Sequence, residues 1–256
     1  MLGAIAGDII GSPFEFIGFK EYEFPLFSGQ SDFTDDSVLT VAVADILMHD
    51  KAIAATLKSY ARDYPNRGYG GSFSKWVMSD SLEPYNSWGN GAAMRTSPVG
   101  FLLDNEVDVL AAARDIAQAT HNHPEGIRGA QAVAFAIFLA RQGADKEELR
   151  AEITRWFGYD LSATLDEIRP GYRFDESCQG TVPPALVAFL ESTDFEDAIR
   201  KAISLGGDAD TLACITGSVA EAYYGSVPDA LAREARKRLP PGFLELMDKF
   251  YLMLEN

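Results

Sequence analysis

Leu205-Gly206-Gly207-Asp208-Ala209-Asp210-Thr211 packs two carboxylates and a hydroxyl into four residues, directly behind a glycine pair. Apolar residues at helical spacing precede it (Ala198, Ile199, Ala202, Ile203) and follow it (Leu212, Ile215, Val219, Tyr223). The stretch therefore sits at a joint between two helices, at the N-terminus of the second. Residues two apart on a regular helix do not face each other. For Asp208 and Asp210 to serve one centre, at least one must lie on the loop side of the joint, where glycine permits unusual dihedrals. The plainer reading makes Asp208 an N-cap behind a Gly-Gly helix stop.

A second cluster far upstream, Phe33-Thr34-Asp35-Asp36-Ser37, again sets two carboxylates and flanking hydroxyls at the start of an apolar helix (Val38, Leu39, Val41, Ala42, Ile46, Leu47). Thr34 is a good N-cap for it. Two all-oxygen clusters without Cys or His are what a pair of hard divalent cations requires.

Outward from these clusters the periodicity predicts helices and no alternating strands, hence an all-α, compact multi-helix fold over one domain, residues 1–256. A first helix spans 3–16, with Pro13 making regularity beyond Gly11 doubtful. Asp8 and Glu15, seven apart, would share one face of it. Read alone, Glu15 is a solvated acid between Phe14 and Phe16. Further helices are expected over 51–63, 73–79, 92–103 (broken at Pro98), 106–119 and from Pro124 to about Gln142, with proline at a first helical position. The spacing continues over 145–157, 181–192, 194–205, 208–224, 228–238 and 242–254. The long loop 158–180, carrying Asp160, Asp175 and Glu176, is expected to border a pocket.

Gly89-Asn90-Gly91 offers bare backbone N–H groups at a helix start, a cradle for a pyrophosphate or else a plain turn. Trp88 beside it either stacks on a ring or packs in the core. His121 and His123 lack the nitrogen and sulfur partners of a transition-metal site and read as structural histidines.

Composition is that of a soluble globular chain: 47% apolar and 23% charged residues over 256 positions. The formal charge of −16 argues against binding a nucleic-acid backbone, although bound cations can still admit an anionic ligand. Two cysteines, Cys178 and Cys214, offer no CxxC spacing and suit a reducing cytoplasm as small buried residues. The N-terminal stretch has no signal-peptide pattern, and the apolar run Ala130 to Ala140 is too short to span a membrane.

Five ordered motifs carry a family resemblance: Gly7-Asp8-Ile9-Ile10-Gly11 with Glu15, Thr34-Asp35-Asp36-Ser37, Gly89-Asn90-Gly91-Ala92-Ala93-Met94-Arg95, Thr120-His121, and Gly206-Gly207-Asp208-Ala209-Asp210-Thr211. With them the chain resembles the ADP-ribosylglycohydrolase family, which includes the ADP-ribosyl-dinitrogen reductase hydrolase type. The resemblance implies two divalent cations, Mg²⁺ or Mn²⁺, held by Thr34, Asp35, Asp36, Asp208, Asp210 and Thr211. It implies catalytic roles for Glu15 and Asp36, and substrate contacts from Trp88, Gly89, Asn90, Gly91, Ala92, Met94, Arg95 and His121. The implied substrate is an ADP-ribosylated protein, with arginine linkage the first expectation. Serine, nucleobase or O-acetyl linkages and a non-catalytic ADP-ribose-binding protein are the alternatives. An isoprenoid-diphosphate enzyme would also use aspartates and Mg²⁺, but its motif wants a third Asp where this chain has Leu39 or Thr40.

Overall fold

The computed structural model describes residues 1–255; Asn256, the last residue of the expected domain, lies outside them. The helices are α1 (Leu2–Gly11), α2 (Asp35–His49), α3 (Ile53–Asp63), α4 (Gly71–Met78), α5 (Ser97–Leu102), α6 (Glu106–Gln118) and α7 (Pro124–Arg141). They continue with α8 (Lys146–Phe157), α9 (Leu165–Ile168), α10 (Cys178–Leu190), α11 (Phe195–Ile203), α12 (Ala209–Tyr224), α13 (Asp229–Arg236) and α14 (Pro241–Leu254). Short 3-10 turns occupy Ser12–Phe14 and Asn90–Ala92. Among the described residues the only β pairing is an isolated bridge between Gly89 and Ser177. The fold is all-α.

Local chemistry sets most helix starts. The side chains of Thr34, Asn105, Asp145, Thr164, Ser177 and Asp194 each accept a backbone N–H at an N-cap, and Asp145 and Thr164 complete capping boxes.

Three differences from the sequence reading have physical causes. The first helix stops at Gly11 and tightens into a 3-10 turn at Pro13, so Glu15 lies beyond it. Pro98 does not break a helix over 92–103; it sits in the first turn of α5, where a missing N–H costs nothing. The helix expected from 181 begins at Cys178 and carries Pro183 and Pro184 inside it. Pro184 cannot donate to the Gly180 carbonyl, and the Tyr172 hydroxyl donates to it instead, at 3.0 Å.

The strut of the molecule is the antiparallel pair α1–α12. Gly3, Gly7 and Gly11 recur every four residues and give α1 one bare face. A Cβ on Gly3 would meet the Gly217 carbonyl oxygen at 2.2 Å, and one on Gly7 the Ala213 oxygen at 2.0 Å. Contact at that range is backbone against backbone. The first amides of α1 are satisfied from across the fold: Leu2 N donates to the Tyr251 hydroxyl (2.7 Å) and Gly3 N to Glu221 Oε2 (2.8 Å). Helices α2, α11 and α13 pack around α1, and α7, buried throughout from Ala132 to Phe138, packs against α5, α6, α10 and α12.

Gly7→Ala should therefore destabilise by about 3 kcal/mol, the upper part of the usual overpacking range, because rigid backbone must move. Gly29→Ala, where a Cβ meets nothing within 4 Å, should change stability by under about 0.5 kcal/mol. Urea unfolding of the two variants checks the contrast; equal midpoints would contradict the close helix packing.

Candidate active site

The site is assembled at one end of the α1–α12 pair. Asp8, fully buried on α1, accepts from Thr34 N (3.0 Å), Thr34 Oγ1 (2.6 Å), Ser37 N (3.1 Å) and Ser37 Oγ. One carboxylate thus pins the start of α2 to α1. Burial pushes its pKa up to about 6 against the opposing effect of these bonds. Thr34 is also the N-cap of α2, accepting from Asp36 N at 3.3 Å.

At the other cluster, Gly206 (φ 68°) and Gly207 (φ 78°) turn the chain between α11 and α12 through the left-handed region. Asp208 follows at the N-cap position with non-helical angles, φ −76° and ψ 74°. It lies on the loop side, as the two-residue spacing required. Its side chain caps nothing; it accepts from Asn90 Nδ2 at 2.6 Å instead, so the plain N-cap reading does not hold. Asp210 stands one residue inside α12, and Thr211 Oγ1 donates to Asp36 Oδ2 at 3.3 Å. This bond joins clusters 175 residues apart. Carboxylate oxygens of Glu15, Asp208 and Asp210 lie within 4.8 Å of one another.

Charge is crowded here without relief. Among the described residues none of Asp8, Glu15, Asp35, Asp36, Asp208 or Asp210 forms an ion pair with Lys, Arg or His. Burial and then the neighbouring carboxylates drive the pKa values of Asp35, Asp36 and Asp210 well above the ordinary range. Glu15 rises to about 7 through burial, then through Asp208 and Asp8. Among the described residues Asp36 Oδ1 is buried with no hydrogen-bond partner. An orphaned buried oxygen among unpaired carboxylates fits a hard divalent cation, which takes oxygen ligands.

The facing wall comes from the glycine loop and the α6–α7 joint. Gly89, Asn90, Gly91, Met94, Arg95 and His121 line the same cavity as Glu15, Asp35, Asp36, Asp208, Asp210 and Thr211. The amides of Gly89, Asn90 and Ala92 are already taken, by Ser87 Oγ (3.1 Å), the Glu176 carbonyl (2.7 Å) and the Gly89 carbonyl (3.5 Å). The loop therefore presents a compact 3-10 turn rather than a row of bare N–H groups, and Asn90 spends its side chain orienting Asp208.

Arg95 is fully buried; its Nη2 donates to the Ile116 carbonyl (3.0 Å) and Thr120 Oγ1 (2.8 Å). Among the described residues its Nε and Nη1 have no hydrogen-bond partner. Thr120 Oγ1 in turn lies 2.7 Å from His121 Nδ1. Burial, then Arg95, holds the His121 pKa well below its usual value, so the ring is neutral at pH 7. Ala92 is buried behind this wall. Trp88 is neither core nor cavity wall: it is 52% exposed and meets the His123 ring edge-on at 5.7 Å.

Four features of the cleft escape a reading by spacing: the Asp8 clamp, the Gly68–Phe73 segment over Asp35, Tyr85, and Phe174. A signal existed for the first, since an aspartate within an apolar helix demands donors. The long loop does border the cavity as expected. Of the acids named in it, Glu176 lines the cavity, whereas Asp160 binds Ser162 and Asp175 accepts from Ser177 N at 2.8 Å.

An all-α scaffold that closes an oxygen-only acidic centre into a polar cleft is the class of protein the fold and site define. The chain belongs to the ADP-ribosylglycohydrolase family, a family of hydrolases, whose model matches residues 1–255. It is 29% identical to mouse (Mus musculus) ADP-ribosylhydrolase ARH3, over 77% of this chain and 71% of that one. It is 27% identical to the ADP-ribosylarginine hydrolase Tri1 of Pseudomonas putida (strain GB-1), over 88% and 69%. A solved structure titled ADP-ribosylglycohydrolase-related protein complex is similar with TM-score 0.76 and 26% identity, covering 99% of this chain and 97% of that one. No helix among the described residues is long and apolar enough to cross a membrane.

Proposed function

We propose that the protein is a divalent-metal-dependent hydrolase that releases ADP-ribose from a modified protein by cleaving the glycosidic bond at the anomeric carbon. The observation that carries this reading is the Thr211–Asp36 hydrogen bond, which merges the two acidic clusters into one centre beside Glu15. Thr34, Asp35, Asp36, Asp208, Asp210 and Thr211 would hold two cations, Mg²⁺ or Mn²⁺. When bound, such cations orient ribose hydroxyls, ready a water and stabilise developing charge.

The protein's own groups supply the rest. Asp8 and Asn90 fix the two carboxylate clusters from behind, so their positions do not depend on the ligand. Glu15 moves a proton near the anomeric carbon, as acid for the departing group or base for the attacking water. Asp36, with its unpartnered Oδ1, shares the ligand role. Met94, Gly91 and neutral His121 shape the opposite wall, and Arg95 places positive charge beneath it toward the diphosphate. We also infer that residues 1–256 act as one domain, and that free, buried Cys178 and Cys214 fit a cytoplasmic setting.

For linkage, arginine remains the first choice because a relative named as an ADP-ribosylarginine hydrolase is 27% identical. Glu176, the one long-loop acid lining the cleft, is the carboxylate available to a guanidinium leaving group. The test is to incubate the enzyme with arginine-linked, serine-linked and O-acetyl ADP-ribose in Mg²⁺, Mn²⁺ or EDTA and follow free ADP-ribose by mass spectrometry. Fastest release from the arginine linkage, abolished by EDTA, is expected. Release from the serine or ester linkage alone would remove the arginine assignment, and no release from any would favour a non-catalytic binding protein.

A further inference from the structure

A second cavity of about 620 Å³ adjoins the cleft and shares Glu15 and Phe174 with it as a common wall. That volume lies within the range of ligand pockets. Its lining shares none of the Gly89–Arg95 wall, and it meets the cleft at Glu15, the residue placed beside the bond being cut. Lys20, Arg169 and Arg173 line it, and Glu15 is its only carboxylate. Three cations around one hollow are conspicuous in a chain of formal charge −16.

Arg169 has a partner in Asp166 (2.6 Å). Among the described residues neither Lys20 nor Arg173 pairs with an acid: Lys20 Nζ donates to the Tyr172 (3.0 Å) and Leu205 carbonyls, and Arg173 Nη1 to the Pro170 (3.0 Å) and Tyr172 (2.7 Å) carbonyls. Burial and the two arginines pull the Lys20 pKa below its usual value. Phe16, Tyr172 and Phe174 add an aromatic wall. Phe16 and Phe174, 77% and 47% exposed, stack at 5.6 Å on the ridge between the cavities.

We propose that this second cavity binds an acidic stretch of the modified target, next to the residue that carries ADP-ribose. The inference rests on the hydrolase reading, which sets the ADP-ribosyl group in the neighbouring cleft. Carboxylates of the target meet Lys20 and Arg173, and an apolar neighbour lies on the Phe16–Phe174 ridge. A nucleic-acid backbone is the poorer occupant, because it needs many phosphates neutralised and this chain is strongly acidic overall. The subsite selects among targets, a role that charge complementarity at a rim performs well.

The test uses two ADP-ribosylated peptides identical except for Glu or Lys on both sides of the modified residue. Wild type and Arg173→Glu are compared by kcat/KM, and by fluorescence anisotropy of the same peptides in EDTA. Arg173 is exposed and bonds only neighbouring carbonyls, so reversal of its charge leaves the core alone. Wild type should favour the Glu-flanked peptide by about tenfold at low salt, a preference screened at high salt and lost or reversed in Arg173→Glu. An unchanged Glu/Lys ratio in the variant overturns the proposal. Hydrolysis by wild type without flank preference also removes the subsite and leaves the hydrolase. A charge preference in anisotropy that Arg173→Glu loses, with no hydrolysis of either peptide, keeps the subsite and removes the hydrolase.

Discussion

Asp210→Asn should lower kcat/KM for ADP-ribose release by about 10³-fold or more, the scale of several kcal/mol of charge stabilisation. Asp210 is buried in the first turn of α12, and its Oδ1 accepts from its neighbour Thr211 N at 2.9 Å. Asparagine keeps the volume and that hydrogen bond but removes one of the charges that draw a cation into the cleft. The fold should not suffer. The wild-type carboxyl is disfavoured by burial and by Asp208, Asp36 and Glu15, so in EDTA the variant should melt no lower than wild type. A lost activity accompanied by a collapsed melting point would assign Asp210 to the fold instead.

Glu15→Gln is the second large effect: turnover should fall about 10²-fold or more, the usual scale for a missing acid–base group, with binding of free ADP-ribose largely kept. Glu15 stands after the 3-10 turn that ends α1, half-buried, on the wall shared by both cavities. Glutamine holds the same space and neither gives nor takes a proton. Steady-state kinetics separate the outcomes: a kcat loss at steady KM supports proton transfer, whereas wild-type turnover would reduce Glu15 to a piece of cleft wall.

Both acidic clusters were legible because their chemistry is local. Thr34 to Ser37 and Asp208 to Thr211 each put hydroxyls beside carboxylates within four residues, at helix starts that caps and glycines announce. Their meeting was inferred from shared oxygen chemistry, and the Thr211–Asp36 bond is its physical form. Asp8 was harder to read: it bonds residues 26 and 29 positions away, and pairing at that range leaves no periodic trace. The Gly3, Gly7, Gly11 series was in the sequence, but its consequence depends on which helix lies opposite. Proline misled once, since its effect turns on position: Pro98 sits in the first turn of a helix, while Pro184 is tolerated inside the helix expected around it because Tyr172 takes over the carbonyl it leaves. Trp88 could not be placed by type alone, and it packs on His123 at the surface.

We propose that the two acidic clusters form one cation-binding centre. Isothermal titration of Mg²⁺ and of Mn²⁺ into chelator-stripped wild-type protein, Asp36→Asn and Asp210→Asn addresses it most directly. Wild type should take up two cations, and each variant should lose at least one of them while remaining folded by circular dichroism. Undiminished binding of two cations by either variant would contradict the claim.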